Sequence, residues 1–132
     1  MRYFVFSLIA LGALAGAAHA QGAGRGAEIY AQFCATCHGV RHDGNGPMAP
    51  VLLVQPSELS TLAARNGGVF PTLRVVQRID GRDPLVSHGS EMPVYGDFFE
   101  GENTPLKTPA GQPILTSRAI VDMVAYLEAV QE

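Results

Sequence analysis

The spacing of apolar residues predicts two amphipathic helices, one near each end of the chain. The first covers 25–33, where the apolar positions are Ala27, Ile29, Tyr30 and Phe33. The second runs towards the end of the chain, where they are Ile120, Val121, Met123, Val124, Leu127 and Val130. Intervals of three and four residues are typical of a helix with one buried face. Thr116 or Ser117 is expected to cap the second helix.

Two shorter helices are predicted between these. Ser57 follows a proline and is a suitable N-cap, and the Asn66-Gly67-Gly68 sequence would end that helix. The next helix is predicted to begin with Pro71 at its first position and to end at Asp80-Gly81.

The remaining segments are rich in glycine and proline and are predicted to be loops. They cover 39–50 and 82–96, followed by a short helical turn over 97–100 and a polar surface excursion over 101–113. No segment has a clear strand pattern. The predicted fold class is therefore all-α, with four to five helices and long loops.

The first twenty residues have the features of a cleaved secretory signal. Arg2 supplies a positive charge, an apolar run covers 3–18, and Ala18-His19-Ala20 is a small-x-small ending. A retained anchor is the alternative, but the run is slightly short of the roughly 20 residues that span a bilayer. We expect a signal peptide over 1–20, cleavage after Ala20, export to the periplasm, and a single domain over 21–132.

The composition gives no support to nucleic-acid binding. The chain has 9 basic and 12 acidic residues and a net formal charge of −3. Proteins that bind nucleic acids present clustered positive charge, so we expect no nucleic-acid partner. A domain of this size is also small for a self-sufficient core, and a buried cofactor would supply additional apolar contact.

The clearest chemical motif is Cys34-Ala35-Thr36-Cys37-His38. Two thiols three positions apart can bond covalently to one flat ligand, and the imidazole that follows can bind its metal, which is the attachment pattern of a c-type haem. A local disulfide and a thioredoxin-like dithiol are the alternatives. The dithiol usually accompanies a βαβ pattern, which this sequence lacks. A four-ligand zinc site would need a second pair of ligands, and His42 and His88 have unsuitable spacing.

His38 would supply one axial ligand to the iron, and a second side chain would close the opposite face. Met92 is the leading candidate because it lies in the long loop over 82–96, beside a proline. A thioether is a neutral, soft ligand that favours ferrous iron. The alternatives are His88 in the same loop, Met48 close to the motif, and Met123 in the last helix.

A ligating histidine usually donates its other ring proton to a carbonyl or a carboxylate, which fixes the ring and raises its basicity. Pro47 and Pro50 are stiff and lack an N–H, so either could present such a carbonyl to His38. His42 lies beside Asp43 in the same glycine-rich turn and is predicted to be a surface residue.

Together these residues resemble class I cytochrome c of the bacterial mono-haem kind, over essentially all of 24–130. The positions that carry the resemblance are Gly26, Tyr30, Cys34, Cys37, His38, Gly46, Pro47, Met92, Pro93, Tyr95, Gly96 and 122–127. The resemblance implies the cytochrome c fold, in which the helices and loops wrap around one covalently bound haem c. Its first and last helices are expected to cross at nearly a right angle.

The resemblance also implies roles for single residues. His38 and Met92 become the iron ligands, and the carbonyl of Pro47, rather than that of Pro50, accepts the His38 proton. Gly26 and Tyr30 are expected to pack against Met123 and Tyr126.

Two features depart from the resemblance. Many carriers have a ring of lysines around the haem edge, whereas this chain has the single Lys107 and is rich in acidic residues from Asp80 onward. The excursion over 102–113 is also longer than the smallest family members need.

The implied function is that of a periplasmic single-electron carrier with a six-coordinate His/Met haem c, and not that of an enzyme. We expect a monomer that exchanges electrons with a redox protein donor and acceptor, associates transiently with membrane respiratory complexes, and has no small-molecule substrate. One alternative is a haem c subunit or dedicated partner of a larger dehydrogenase or oxidase complex. A less favoured one is a five-coordinate, gas-binding haem protein.

Overall fold

The computed structural model describes residues 21–84 and 91–132. The predicted signal peptide over 1–20 and the rival ligand His88 lie outside the described residues. No helix in the described part of the chain is long and apolar enough to cross a bilayer.

The predicted first helix is confirmed. Residues 21–33 are helical (α1), and a single turn residue, Cys34, separates α1 from the short helix α2, Ala35–His38. The amide of Cys34 donates to Tyr30 O at 2.9 Å, and the amide of His38 donates to Cys34 O at 2.9 Å. The helical path therefore continues through the cysteine motif.

Two further helices are confirmed. Helix α3, Thr72–Asp80, ends at Gly81, whose φ of 82° is readily adopted by glycine, and Pro71 lies at its N-cap rather than at its first position. Helix α4, Arg118–Ala129, is capped by Ser117, whose Oγ accepts a hydrogen bond from the Ile120 amide.

The predicted helix beginning at Ser57 is wrong. Its segment consists of turns and the 3-10 helix Ala64–Asn66, and a second 3-10 helix covers Ala49–Val51. The Ser57 carbonyl accepts from the His38 ring, and the Leu59 amide donates to His42 O. These backbone groups are paired outside the segment, so they do not form a helical ladder.

The expectation of no strand is also wrong. Strand β1, Asn103–Lys107, pairs antiparallel with β2, Pro113–Ser117, with Pro105 opposite Leu115. Leu106 and Ile114 pack against the core. Proline is depleted in strands, and one begins β2 while another lies inside β1, which obscured the alternation of inward and outward positions. The fold is thus mostly helical with a small sheet.

Helices α1, α3 and α4 share one hydrophobic core with the 91–99 segment. Its most buried members include Tyr30, Val76, Phe99, Ile120, Met123, Val124 and Leu127. A Cβ atom at Gly26 would overlap the backbone carbonyl of Asp122 and would lie 2.7 Å from Tyr126 Cβ. The absence of a side chain at Gly26 therefore lets α1 and α4 pack in direct backbone contact.

Candidate cofactor site

The cysteine motif lies at the end of α1 and in α2. Cys34 and Cys37 are both half-buried, and both thiols are free. Residues three apart lie on one face of a helical turn. The two sulfur atoms are therefore placed for bonding to the same ligand.

The electrostatic surroundings of Cys34 argue against a redox-active dithiol. Burial, with a smaller effect of Cys37, raises the pKa of the Cys34 thiol to about 11. The nucleophilic cysteine of a thiol oxidoreductase instead has a lowered pKa. At neutral pH Cys34 is a protonated thiol.

His38 is oriented by one backbone contact. Its Nδ1 lies 2.8 Å from the carbonyl oxygen of Ser57. When Nδ1 carries the proton and donates to this carbonyl, Nε2 is left with its lone pair for a metal. Burial lowers the pKa of His38, although the Ser57 hydrogen bond opposes the shift. The neutral imidazole is the form that binds a metal.

The predicted role of Pro47 is corrected by this contact, because the carbonyl at His38 Nδ1 belongs to Ser57. Pro47 is exposed and lies in a turn that packs against the carboxyl end of α2. The Gly46 and Met48 amides on either side of it donate to Cys37 O and Thr36 O, at 3.0 and 2.9 Å. The turn therefore satisfies the last carbonyls of α2, while the more distant segment at Ser57 orients the histidine ring.

His42 is a buried residue, and its predicted surface position is wrong. It is 9% exposed, and its Nε2 lies 2.7 Å from the Tyr126 hydroxyl oxygen. The two residues are 84 positions apart, so no local pattern in the sequence could reveal the contact.

Met92 is half-buried and packs against the core cluster. Its segment is attached to two helices through Tyr95, whose amide donates to Ile79 O at 2.7 Å and whose hydroxyl donates to Phe33 O at 3.2 Å. Of the rival methionines, Met48 is 43% exposed in its loop, and Met123 is 2% exposed between the helices. Met123 is therefore a packing residue, as expected.

The donor set fits a metal held by a macrocycle. The described residues contain no cluster of three or more histidine, cysteine, aspartate or glutamate side chains that could hold a metal ion. A porphyrin supplies four nitrogen ligands itself, so one imidazole and one further side chain complete the coordination. The free thiols of Cys34 and Cys37 would attach its edge, and His38 Nε2 would bind the iron.

Comparison with known proteins agrees with this chemistry. The family model described as Cytochrome c matches residues 23–131. No curated protein and no solved structure matches the chain. Members of this family carry covalently attached haem c, and the length of the matched region is consistent with the class I mono-haem type. The chain belongs to the cytochrome c family, and its cofactor is haem c.

Proposed function

We propose that this protein is a single-electron carrier whose haem c is attached through Cys34 and Cys37 and ligated by His38 and Met92. The observation that carries the proposal is the His38–Ser57 hydrogen bond beside two free, half-buried thiols. The haem supplies the Fe(III)/Fe(II) couple when bound. The protein supplies attachment, an oriented proximal imidazole and a second ligand.

Met92 is the side chain best suited to the sixth position. A thioether from a segment anchored to α1 and α3 can be held at the metal without large movement when the oxidation state changes. A filled sixth position also keeps small molecules away from the iron. This ligation supports electron transfer rather than gas binding or catalysis.

The proposed location is the periplasm, after removal of residues 1–20. The support is the charged, apolar and small-residue order of that segment. The Cytochrome c match begins at residue 23, just after the proposed cleavage site.

The proposed partners are a redox protein donor and acceptor, met by a monomeric carrier, including transient contact with membrane respiratory complexes. Four exposed acidic residues lie on the segment that carries Met92 or within three residues after it: Glu91, Asp97, Glu100 and Glu102. Partners that recognise a ring of lysines are therefore not favoured. Partners with a positively charged docking face are favoured instead.

One observation favours the second candidate, a haem c subunit or dedicated partner of a larger dehydrogenase or oxidase complex. The apolar run over 51–54 is exposed, and Leu53 at its centre is 103% exposed. Exposed apolar patches commonly mark interaction sites. Elution of the native periplasmic protein with a second, stoichiometric polypeptide would favour this candidate, and elution as a monomer would favour the free carrier.

Carbon monoxide tests the carrier proposal. The reduced holoprotein at neutral pH is expected to show no spectral change on exposure to the gas, and to give one reversible one-electron wave in voltammetry. Rapid carbon monoxide binding would show an open sixth site and would contradict the proposal.

A further inference from the structure

We propose that His42 and Tyr126 together position the His38 imidazole, by fixing the 39–46 turn against the 55–59 segment, and thereby help to set the reduction potential of the haem. This inference rests on the proposed function, in which His38 is an iron ligand. Neither His42 nor Tyr126 is placed at the iron, so both would act as positioning residues.

The first observation is backbone strain. His42 has a φ of 64°, and it is the non-glycine residue with positive φ among the described residues. Gly39 and Gly44 in the same turn also have positive φ, where glycine is free of the steric cost. A histidine in this conformation persists only when its surroundings hold it there.

The second observation is the set of contacts that hold the side chain. Its Nε2 lies 2.7 Å from the Tyr126 hydroxyl oxygen on α4, and its ring centroid lies 4.7 Å from that of Tyr30 on α1. The Tyr30 hydroxyl donates to Gly39 O at 2.7 Å. Burial raises the pKa of both tyrosines, so both hydroxyls stay protonated at neutral pH. Both helices of the α1–α4 pair therefore hold the turn that follows His38.

The third observation connects this turn to the carbonyl that orients His38. The His42 carbonyl accepts from the Leu59 amide at 2.6 Å. Four residues before Leu59, the side-chain amide of Gln55 donates to Gly44 O at 2.6 Å. Ser57 lies between these two anchors, and its carbonyl oxygen is 2.8 Å from His38 Nδ1. A shift of the turn would therefore move the Ser57 carbonyl relative to the imidazole.

The direction of the effect follows from the chemistry of the ligand. An imidazole that donates a well-aligned hydrogen bond is a more basic ligand. A more basic ligand stabilises ferric iron and lowers the reduction potential. Loosening the Ser57 contact should therefore raise the potential.

Three variants of the holoprotein separate positioning from general destabilisation. His42→Asn retains a residue that tolerates positive φ but is too short to reproduce the imidazole contact. Tyr126→Phe removes only the hydroxyl. Arg25→Gln is the control, because it breaks the ion pair of Arg25 with Asp122, which joins the same two helices away from the turn.

The measurements are the reduction potential and the NMR resonance of the His38 Nδ1 proton in the ferrous state. We expect His42→Asn and Tyr126→Phe to shift the ferric–ferrous equilibrium towards the ferrous state by up to about tenfold, which is about 59 mV for one electron. The His38 proton should move upfield in both, and the double variant should add little to the larger single effect. Arg25→Gln should change neither reading.

Wild-type values for both the potential and the proton in Tyr126→Phe would overturn the inference. An equal shift in Arg25→Gln would overturn it as well. If His42→Asn does not yield holoprotein, the Tyr126→Phe result decides alone. Failure of the proposed function is a different result, because wild-type protein would then lack a histidine-ligated, six-coordinate spectrum.

Discussion

Gly26 on α1 lies directly against the backbone carbonyl of Asp122 on α4, and a Cβ atom would overlap that carbonyl. Gly26→Ala should therefore force the two helices apart and destabilise the holoprotein by about 1–3 kcal/mol or more. Gly24→Ala is the matched control, because nothing lies within 4 Å of a Cβ there. Glycine in a helix costs about 0.5–1 kcal/mol relative to alanine, so the control should be neutral or stabilising.

Urea unfolding followed by far-ultraviolet circular dichroism would measure both variants. Equal stability of Gly26→Ala and Gly24→Ala would show that the helices do not meet as described.

Asp122 and Arg25 form an ion pair of 2.8 Å in which the aspartate side chain is 4% exposed and the arginine 54%. Arg25→Gln leaves the buried Asp122 carboxylate without its charged partner, and should destabilise the holoprotein by more than the loss of an exposed ion pair does. Arg41→Gln is matched to it in chemistry, but Arg41 is 81% exposed beside Asp43, so its loss should cost less than about 1 kcal/mol. Thermal unfolding at low and high salt compares the stabilities of the two variants. A larger loss of stability for Arg41→Gln than for Arg25→Gln would contradict the burial of the Asp122 carboxylate.

The burial of the Cys34 thiol predicts that, before haem attachment, the stability of the folded protein depends on pH. Its pKa in the folded chain is raised from 9.0 to about 11, mainly by burial. The unfolded chain releases this proton first as pH rises, so the stability supplied by the neutral thiol is complete below pH 9.0 and is lost as pH rises to about 11. In the proposed holoprotein Cys34 would be a thioether, and this loss of stability should be absent.

Alkylation measures the same shift directly. In the haem-free Cys37→Ala variant, the rate of reaction of Cys34 with iodoacetamide should keep rising up to a pH of about 11, because burial is the main cause of the shift. A reaction rate that levels off near pH 9 would contradict the raised pKa of Cys34. A denatured sample of the same variant is the control.

The sequence alone predicted the parts of the fold that depend on local pattern. The spacing of apolar residues predicted the helices at both ends and the helix after Pro71. The spacing of Cys34, Cys37 and His38 identified the cofactor. The α1–α4 contact at Gly26 was expected from the family resemblance. These features depend on residues close in the chain or on a shared family pattern.

The features that were missed depend on distant pairing. The 57–66 segment has helical capping residues, yet its backbone pairs with His38 and with the turn after it. The hairpin of β1 and β2 was not predicted, because proline is depleted in strands and both of its strands contain one. His42 was assigned to the surface because a glycine-rich turn is usually exposed, and only tertiary structure brings Tyr126 to it. The same tertiary packing makes the carbonyl of Ser57, and not that of Pro47 as predicted, the acceptor for His38.

Ligation by Met92 is the central claim about the haem, and the near-infrared spectrum of the oxidised holoprotein tests it most directly. A methionine sulfur bound to ferric iron gives a weak charge-transfer band, which wild-type protein and the Met48→Ala control should both show. Met92→Ala should lose the band and should bind carbon monoxide when reduced. A band that survives in Met92→Ala, or that is absent from the wild type, would contradict the account.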